Sequence, residues 1–182
     1  MNEPDKRLSY LDQAIVAVQT ARDRIGETRV LDAYGNAYYG RDYAKAISYY
    51  ERALAMAREA SAHHSDIALL LNPGDAKLSL DSYTEAIEYL EKAQALGHQR
   101  RELVLEASSL TALGYAYNNL NRYNDAIDCY EHALPIFREV KDRRREGITL
   151  NDLALAYANL NPFEKGIPHF EQALAISRET FA

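Results

Sequence analysis

Histidine and cysteine are the side chains through which small proteins most often hold a metal or attack an electrophile. This chain of 182 residues has five histidines and one cysteine. A tetrahedral metal site needs three or four donors at ligand spacing. His132 has only Cys129 near it and His169 has no Cys or His at ligand spacing, so neither reaches a ligand set, and His63 and His64 read as a solvated loop. Cys129 falls where other parts of the sequence carry Tyr or His, and it reads as a half-buried structural thiol. Gly35 and Gly40 have the spacing of a phosphate-cradling loop, but the lysine and hydroxyl residue such a loop needs are missing; Arg41 follows Gly40. No catalytic constellation emerges. The chain is expected to be no enzyme, with no metal and no cofactor.

Charge narrows the partners. The net charge is −6, which speaks against a nucleic-acid surface. No apolar run reaches the roughly 18 residues a membrane helix needs, and the N-terminus is polar, so no membrane contact is expected and the location expected is cytoplasmic. Residues 61–97 hold two basic against six acidic groups, whereas Lys141, Arg143, Arg144 and Arg145 form a basic cluster. Cations at a helix N-terminus oppose the macrodipole, so local stability does not ask for them. Their plain reading is a solvated inter-helix loop. The sharper one is a basic rim of Arg100, Arg101, Arg144 and Arg145 facing an acidic partner.

These residues belong to elements that repeat. At a step of 40, Tyr43, Tyr83, Tyr123 and Phe163 form one column, and Ala46, Ala86, Ala126 and Gly166 the next. Ile47, Ile87, Ile127 and Ile167 follow, with Glu51, Glu91, Glu131 and Glu171, and then Ala53, Ala93, Ala133 and Ala173. An upstream block holds Gly35, Gly74, Gly114 and Ala154, and Tyr38, Lys77, Tyr117 and Tyr157, at steps of 39, 40 and 40. Both blocks have helical spacing. Each unit is therefore a helix A, a short turn and a helix B, and the first unit lacks the leucine seen at Leu80, Leu120 and Leu160. Asp81, Asn121 and Asn161 stand where N-caps belong, with Pro162 at the first helical position; Ser82 with Glu85 offers a capping box one residue later.

Upstream of the first pair, Leu11, Ala14, Ile15, Val18 and Ala21 repeat the helix B pattern, with Ala14 preceding Ala46 by 32 residues. Residues 5–25 are read as a solitary cap helix, giving nine helices and no strand. The division expected is a half repeat at 1–26, then repeats at 27–64, 65–99, 100–142 and 143–182. Pro73 lies inside the second helix A, where it costs about 3 kcal/mol and frees a carbonyl, so a kinked or locally broken helix is expected there. Pro135 and Pro168 predict mild bends in helices B.

The stretches from Asp32 to Leu54 and from Thr111 to Ile127 resemble the tetratricopeptide repeat family in its long variant of about 40 residues. The long variant is similar to arrays in kinesin light chains, spindle-orientation adaptors and bacterial signalling proteins. The resemblance implies an all-α, right-handed α-solenoid of helix-turn-helix repeats, whose A helices line a concave groove for a peptide of a partner protein. Residues of the A helices that avoid the packing columns then face the groove. In the first unit these are Arg29, Asp32, Asn36 and Tyr39, and in the second Leu71, Asp75 and Leu78 beside Ala68. The third gives Ser108, Thr111, Tyr115 and Asn118, with Asn119 at the edge. The fourth gives Ile148, Asn151 and Leu155 beside Ala158, with Asn159 at the edge.

Chaperone-tail binders of this family clamp a carboxylate with lysines on helix A. Here only Asn36 matches, and Asp32, Leu71, Thr111 and Asn151 stand at the lysine positions, so that function is excluded. The leading expectation is a non-catalytic scaffold or adaptor module that binds a protein or peptide. Its rivals are a regulatory sensor domain of a larger signalling protein and a homodimer through the C-terminal helix. For that helix, some of Ile167, Phe170, Leu174, Ile176 and Phe181 are expected to meet water unless covered by a second copy, a neighbour or further sequence.

Overall fold

A computed structural model describes residues 3–59, 66–160 and 163–180. Among them are nine helices and no strand: α1 (Glu3–Thr20), α2 (Arg24–Tyr38), α3 (Tyr43–Glu59), α4 (Asp66–Leu78), α5 (Tyr83–Arg100), α6 (Leu103–Asn119), α7 (Tyr123–Glu139), α8 (Arg143–Leu160) and α9 (Phe163–Thr180). Helices α3, α5, α7 and α9 are the B type and begin at the four aromatic residues of the first column. Helices α2, α4, α6 and α8 are the A type. His63, His64, Asn161, Pro162 and Phe181 lie outside the described residues.

The chain forms two compact units, Met1–Tyr89 and Leu90–Ala182. In the first, α1 packs on α2, α2 on α3 and α3 on α4. In the second, α6 packs on α7, α7 on α8 and α8 on α9. Close approach depends on small side chains. Ala53, Ala93 and Ala133 are each 0% exposed, as their column requires. A Cβ on Gly35 would overlap the buried Tyr50 ring, and one on Gly114 would stand 2.5 Å from Cε1 of Tyr130. The last pair exchanges the roles. Ala154 takes the glycine column, and Gly166 takes the alanine column, where a Cβ would sit 2.7 Å from the Ala154 carbonyl oxygen. The excess of tyrosine has a packing cause as well. In the first unit Tyr49 stacks between Tyr34 (4.8 Å) and Tyr38 (5.6 Å), with Lys45 over the Tyr38 ring and Arg52 over that of Tyr49.

The turns differ from the expectation. Arg22, Asp81, Arg101, Asn121 and Lys141 all adopt left-handed φ between 54° and 60°. In each turn the amide of the next residue reaches back to the carbonyl five positions earlier, as Arg122 N does to Tyr117 O at 2.9 Å. Asp81 and Asn121 are therefore helix-ending turn residues and not N-caps. Their side chains instead accept from the hydroxyls of Tyr83 (2.5 Å) and Tyr123 (2.6 Å). The Ser82–Glu85 capping box is not made either: Ser82 Oγ donates to Leu80 O at 3.5 Å and Glu85 pairs with Lys77 at 2.6 Å. The side-chain caps are aspartates: Gly26 N donates to Asp23 (2.9 Å), Lys45 N to Asp42 (2.9 Å) and Arg145 N to Asp142 (3.0 Å). The one-residue deletion in the first unit is absorbed at Gly40, where φ is 82° and Asp42 N reaches back four residues to Tyr38 O instead of five.

Two further expectations change. Helix α4 runs unbroken from Asp66 to Leu78 through Pro73, whose ring is fully buried. Of the kink or break expected there, the break is not made, and the Pro73 ring is taken into the interior. The α1 register also shifts. Gln19 pairs with Glu27 across eight residues, the same step as His98 to Glu106 and Arg138 to Glu146. This equates Ala14 with Ala53, a step of 39, and α1 is a B helix in ordinary register with its end set by the same five-residue turn.

Candidate functional site

The expected site residues fall on the A-type helices of each unit. On α2 and α4 they form a polar floor. Asn72 Nδ2 donates to Asp32 at 2.6 Å, Asn36 Nδ2 donates to the other Asp32 oxygen at 3.2 Å, and the Tyr50 hydroxyl donates to Asn36 at 3.0 Å. Burial pushes the Asp32 carboxyl up, against the two amide bonds that hold it down. Asp75 is half-buried, and burial raises its carboxyl to about 6. Tyr39 is exposed and its hydroxyl lies 3.3 Å from Ser79 Oγ. Arg29 and Asn36 are exposed and Leu78 is half-buried. Leu71 departs from the expected lining: it is only 9% exposed, because Leu69, Leu70 and Leu71 are all buried and α4 is apolar over most of its circumference.

The raised Asp75 carboxyl gives a pH prediction. A carboxyl whose folded pKa lies above its unfolded value penalises folding once ionised, so the penalty is complete above pH 6 and vanishes as pH falls toward 4. Asp75→Asn is expected to stabilise the chain at pH 7 by about 1–2 kcal/mol, allowing for the water that reaches the site, and by nothing at pH 4. Urea unfolding of wild type and variant across pH 4–7 measures the difference. A gain independent of pH would contradict the burial account.

On α6 and α8 the floor is built of hydroxyls and amides, with one carboxyl at Asp152. Ser108 Oγ donates to Val104 O at 2.7 Å and Thr111 Oγ1 to Ala107 O at 3.0 Å, while Thr111 and Thr149 hydroxyls meet across the two helices at 3.3 Å. Asn159 Nδ2 donates to Asn118 Oδ1 at 3.2 Å, Asn119 Nδ2 to Tyr115 O at 2.9 Å, and Asn151 Nδ2 to Asp152 at 3.4 Å. Above these bonds stand exposed apolar groups: Tyr115 (44%), Ile148 (50%) and Leu155 (44%). Asn151, Asn119 and Asn159 are exposed; Ser108, Thr111 and Asn118 are half-buried. Asn72 and Asp152, one position inside the expected lining, were missed. Their shared column, polar in α4 and α8, was the available signal.

The basic cluster is largely neutralised within the unit. Arg145 pairs with the capping Asp142 at 2.5 Å, and Arg143 pairs with Glu146 at 2.6 Å and Glu179 at 2.8 Å. Local stability therefore does use these cations, because carboxylates at the same helix end outweigh the macrodipole. Arg144 and Arg101 are exposed and Arg100 is half-buried. Cys129 and His169 are engaged in the packing, and His132 in a hydrogen bond within its own helix. Burial raises the Cys129 thiol to about 12. His132 Nδ1 lies 2.6 Å from Asp128 O, and His169 stacks on Tyr157 at 5.6 Å, where burial lowers its pKa. Among the described residues no helix is long and apolar enough to cross a membrane.

Models of the tetratricopeptide repeat match residues 30–62, 65–139 and 148–181. The crystal structure of BtubC from P. vanneervenii superposes with TM-score 0.91 at 21% identity, over 100% of this chain and 76% of that one. The apo form of RapI matches with TM-score 0.91 at 20% identity, over 98% of this chain and 66% of that one. A Rap protein complexed with competence and sporulation factor matches with TM-score 0.80 at 16% identity, over 94% and 48%. At such identities the likeness concerns the fold alone, and this chain spans less than two thirds of either Rap protein. No curated sequence matches the chain.

Proposed function

Because this chain belongs to the tetratricopeptide repeat family, we propose that it is a non-catalytic adaptor module, with four repeats after the cap helix, whose A-type helix faces bind an extended or helical peptide of a partner protein. The observation that carries this reading is the face of α6 and α8. There exposed Tyr115, Ile148 and Leu155 alternate with the amides Asn118, Asn119 and Asn151. Amides can bond a peptide backbone without demanding one sequence, and an exposed tyrosine supplies contact area at low entropic cost. A fold neighbour, a Rap protein, is complexed with competence and sporulation factor, which agrees with a face that takes a partner.

The test is capture of a partner by the immobilised chain, compared with Tyr115→Ala/Asn118→Ala. Both side chains lie on the surface or half-buried, so circular dichroism should not change. Partner affinity is expected to fall about tenfold to a hundredfold, while Glu88→Ala on a B-type helix leaves it unchanged. Equal capture by all three proteins would sink the reading.

A further inference from the structure

Within the second unit, two B-type helices receive the following A-type helix through the same pair of polar contacts. On α5, His98 meets Glu106 at 2.8 Å and Glu91 accepts from the Tyr117 hydroxyl at 3.1 Å. On α7, Arg138 donates to Glu146 at 2.9 Å and Glu131 accepts from the Tyr157 hydroxyl at 2.8 Å. The receiving helix thus offers a glutamate and, seven residues later, a basic residue, His98 or Arg138. The incoming helix answers with a first-turn glutamate and a tyrosine eleven residues on.

Helix α9 carries the receiving half again, Glu171 and Arg178, both exposed. Two of its apolar positions, Ile167 and Leu174, repeat Ile127 and Leu134 of α7 but are exposed, while Ile176 is buried. Leu134 is 5% exposed, whereas Leu174, in the same column, is 52% exposed. Phe170 and Leu174 of α9, with Arg144, Ile148 and Asn151 of α8, line an open cleft of about 690 Å³.

We infer that the outer face of α9, with the adjoining edge of α8, docks an amphipathic helix of a partner chain that carries a glutamate in its first turn and a tyrosine eleven residues later. The two helices already received define what lies between. Leucines stand four and seven residues after the glutamate, at Leu110 and Leu113 or Leu150 and Leu153, and a small residue stands at the eighth, Gly114 or Ala154. The charges specify the polarity of the occupant: its N-terminal glutamate meets Arg178 and its tyrosine meets Glu171. A second copy of this chain is a poor occupant. Its helices with that Glu–Tyr spacing, α2, α6 and α8, already pack on α3, α7 and α9 of their own units.

A synthetic peptide with the sequence of residues 142–160 serves as the probe, because α8 makes the arginine version of this contact. Binding to the full chain is followed by fluorescence anisotropy at physiological salt. Saturable binding is expected, weakened about tenfold by Arg178→Glu and recovered when the peptide glutamate is changed to arginine. Leu174→Glu should weaken it as much, and Tyr115→Ala/Asn118→Ala should leave it intact, which separates this face from the proposed peptide face. Absence of saturation to about 1 mM, or binding indifferent to both α9 changes, overturns the proposal. So does sedimentation equilibrium showing that the chain dimerises and that Leu174→Glu abolishes the dimer, since the occupant would then be a second copy.

Discussion

Gly114→Val is expected to lower the stability of the chain by roughly 3 kcal/mol. A Cβ at Gly114 stands 2.5 Å from the Tyr130 ring, and that ring is 1% exposed. It cannot swing outward without opening the interior of α6, α7 and α8. Helix propensity works in the opposite direction, since leaving glycine gains a few tenths to about 1 kcal/mol; the overlap must therefore exceed that gain for the variant to lose stability. Urea unfolding gives the sign. Tyr130→Leu, which removes the far edge of the ring, should absorb part of the cost, and the two changes together should destabilise less than their separate effects added. Strict additivity would mean that the ring does not set the helix spacing.

Ala133→Leu is expected to cost about 1–3 kcal/mol. Ala133 is 0% exposed and packs with Ala107 and Phe137, flanked by Leu110, Ile136 and Val140. Three added carbons have no void to enter, so α6 and α7 must separate or Phe137 must leave its rotamer. An unchanged unfolding midpoint for Ala133→Leu would show that the packing register assigned to α7 is wrong.

The fold was legible because the repeat is written in residues with one physical task each. Alanines at a 40-residue step mark where helices touch, and the aromatic column marks where each B-type helix begins. Turn chemistry was harder to read. Asp81 and Asn121 suit both an N-cap and a left-handed turn residue, and only the bond from the following amide to the carbonyl five residues back decides between them. The α1 register was obscured for a related reason. Its apolar pattern fits two offsets, and the pairing of Gln19 with Glu27 selects one.

The candidate faces were legible in outline. Periodicity identified which side of each A-type helix avoids the packing columns, and Tyr115, Ile148 and Leu155 are indeed exposed. It did not reveal that α4 is buried at Leu71, since burial there depends on three successive leucines. Nor could the invariant glutamate column be interpreted from sequence. Glu91 and Glu131 act through tyrosines 26 residues away, a partnership visible only once the helices are stacked.

Photo-crosslinking tests the central claim most directly. A benzophenone side chain placed at Ala158 on α8 is compared with one placed at Asp128 on α7, both in the full chain and exposed to the same partner preparation. The account predicts a covalent adduct with a partner protein from position 158, lost with Tyr115→Ala, and none from position 128. An adduct from position 128 alone would contradict it, because the partner would then lie on the B-type helices.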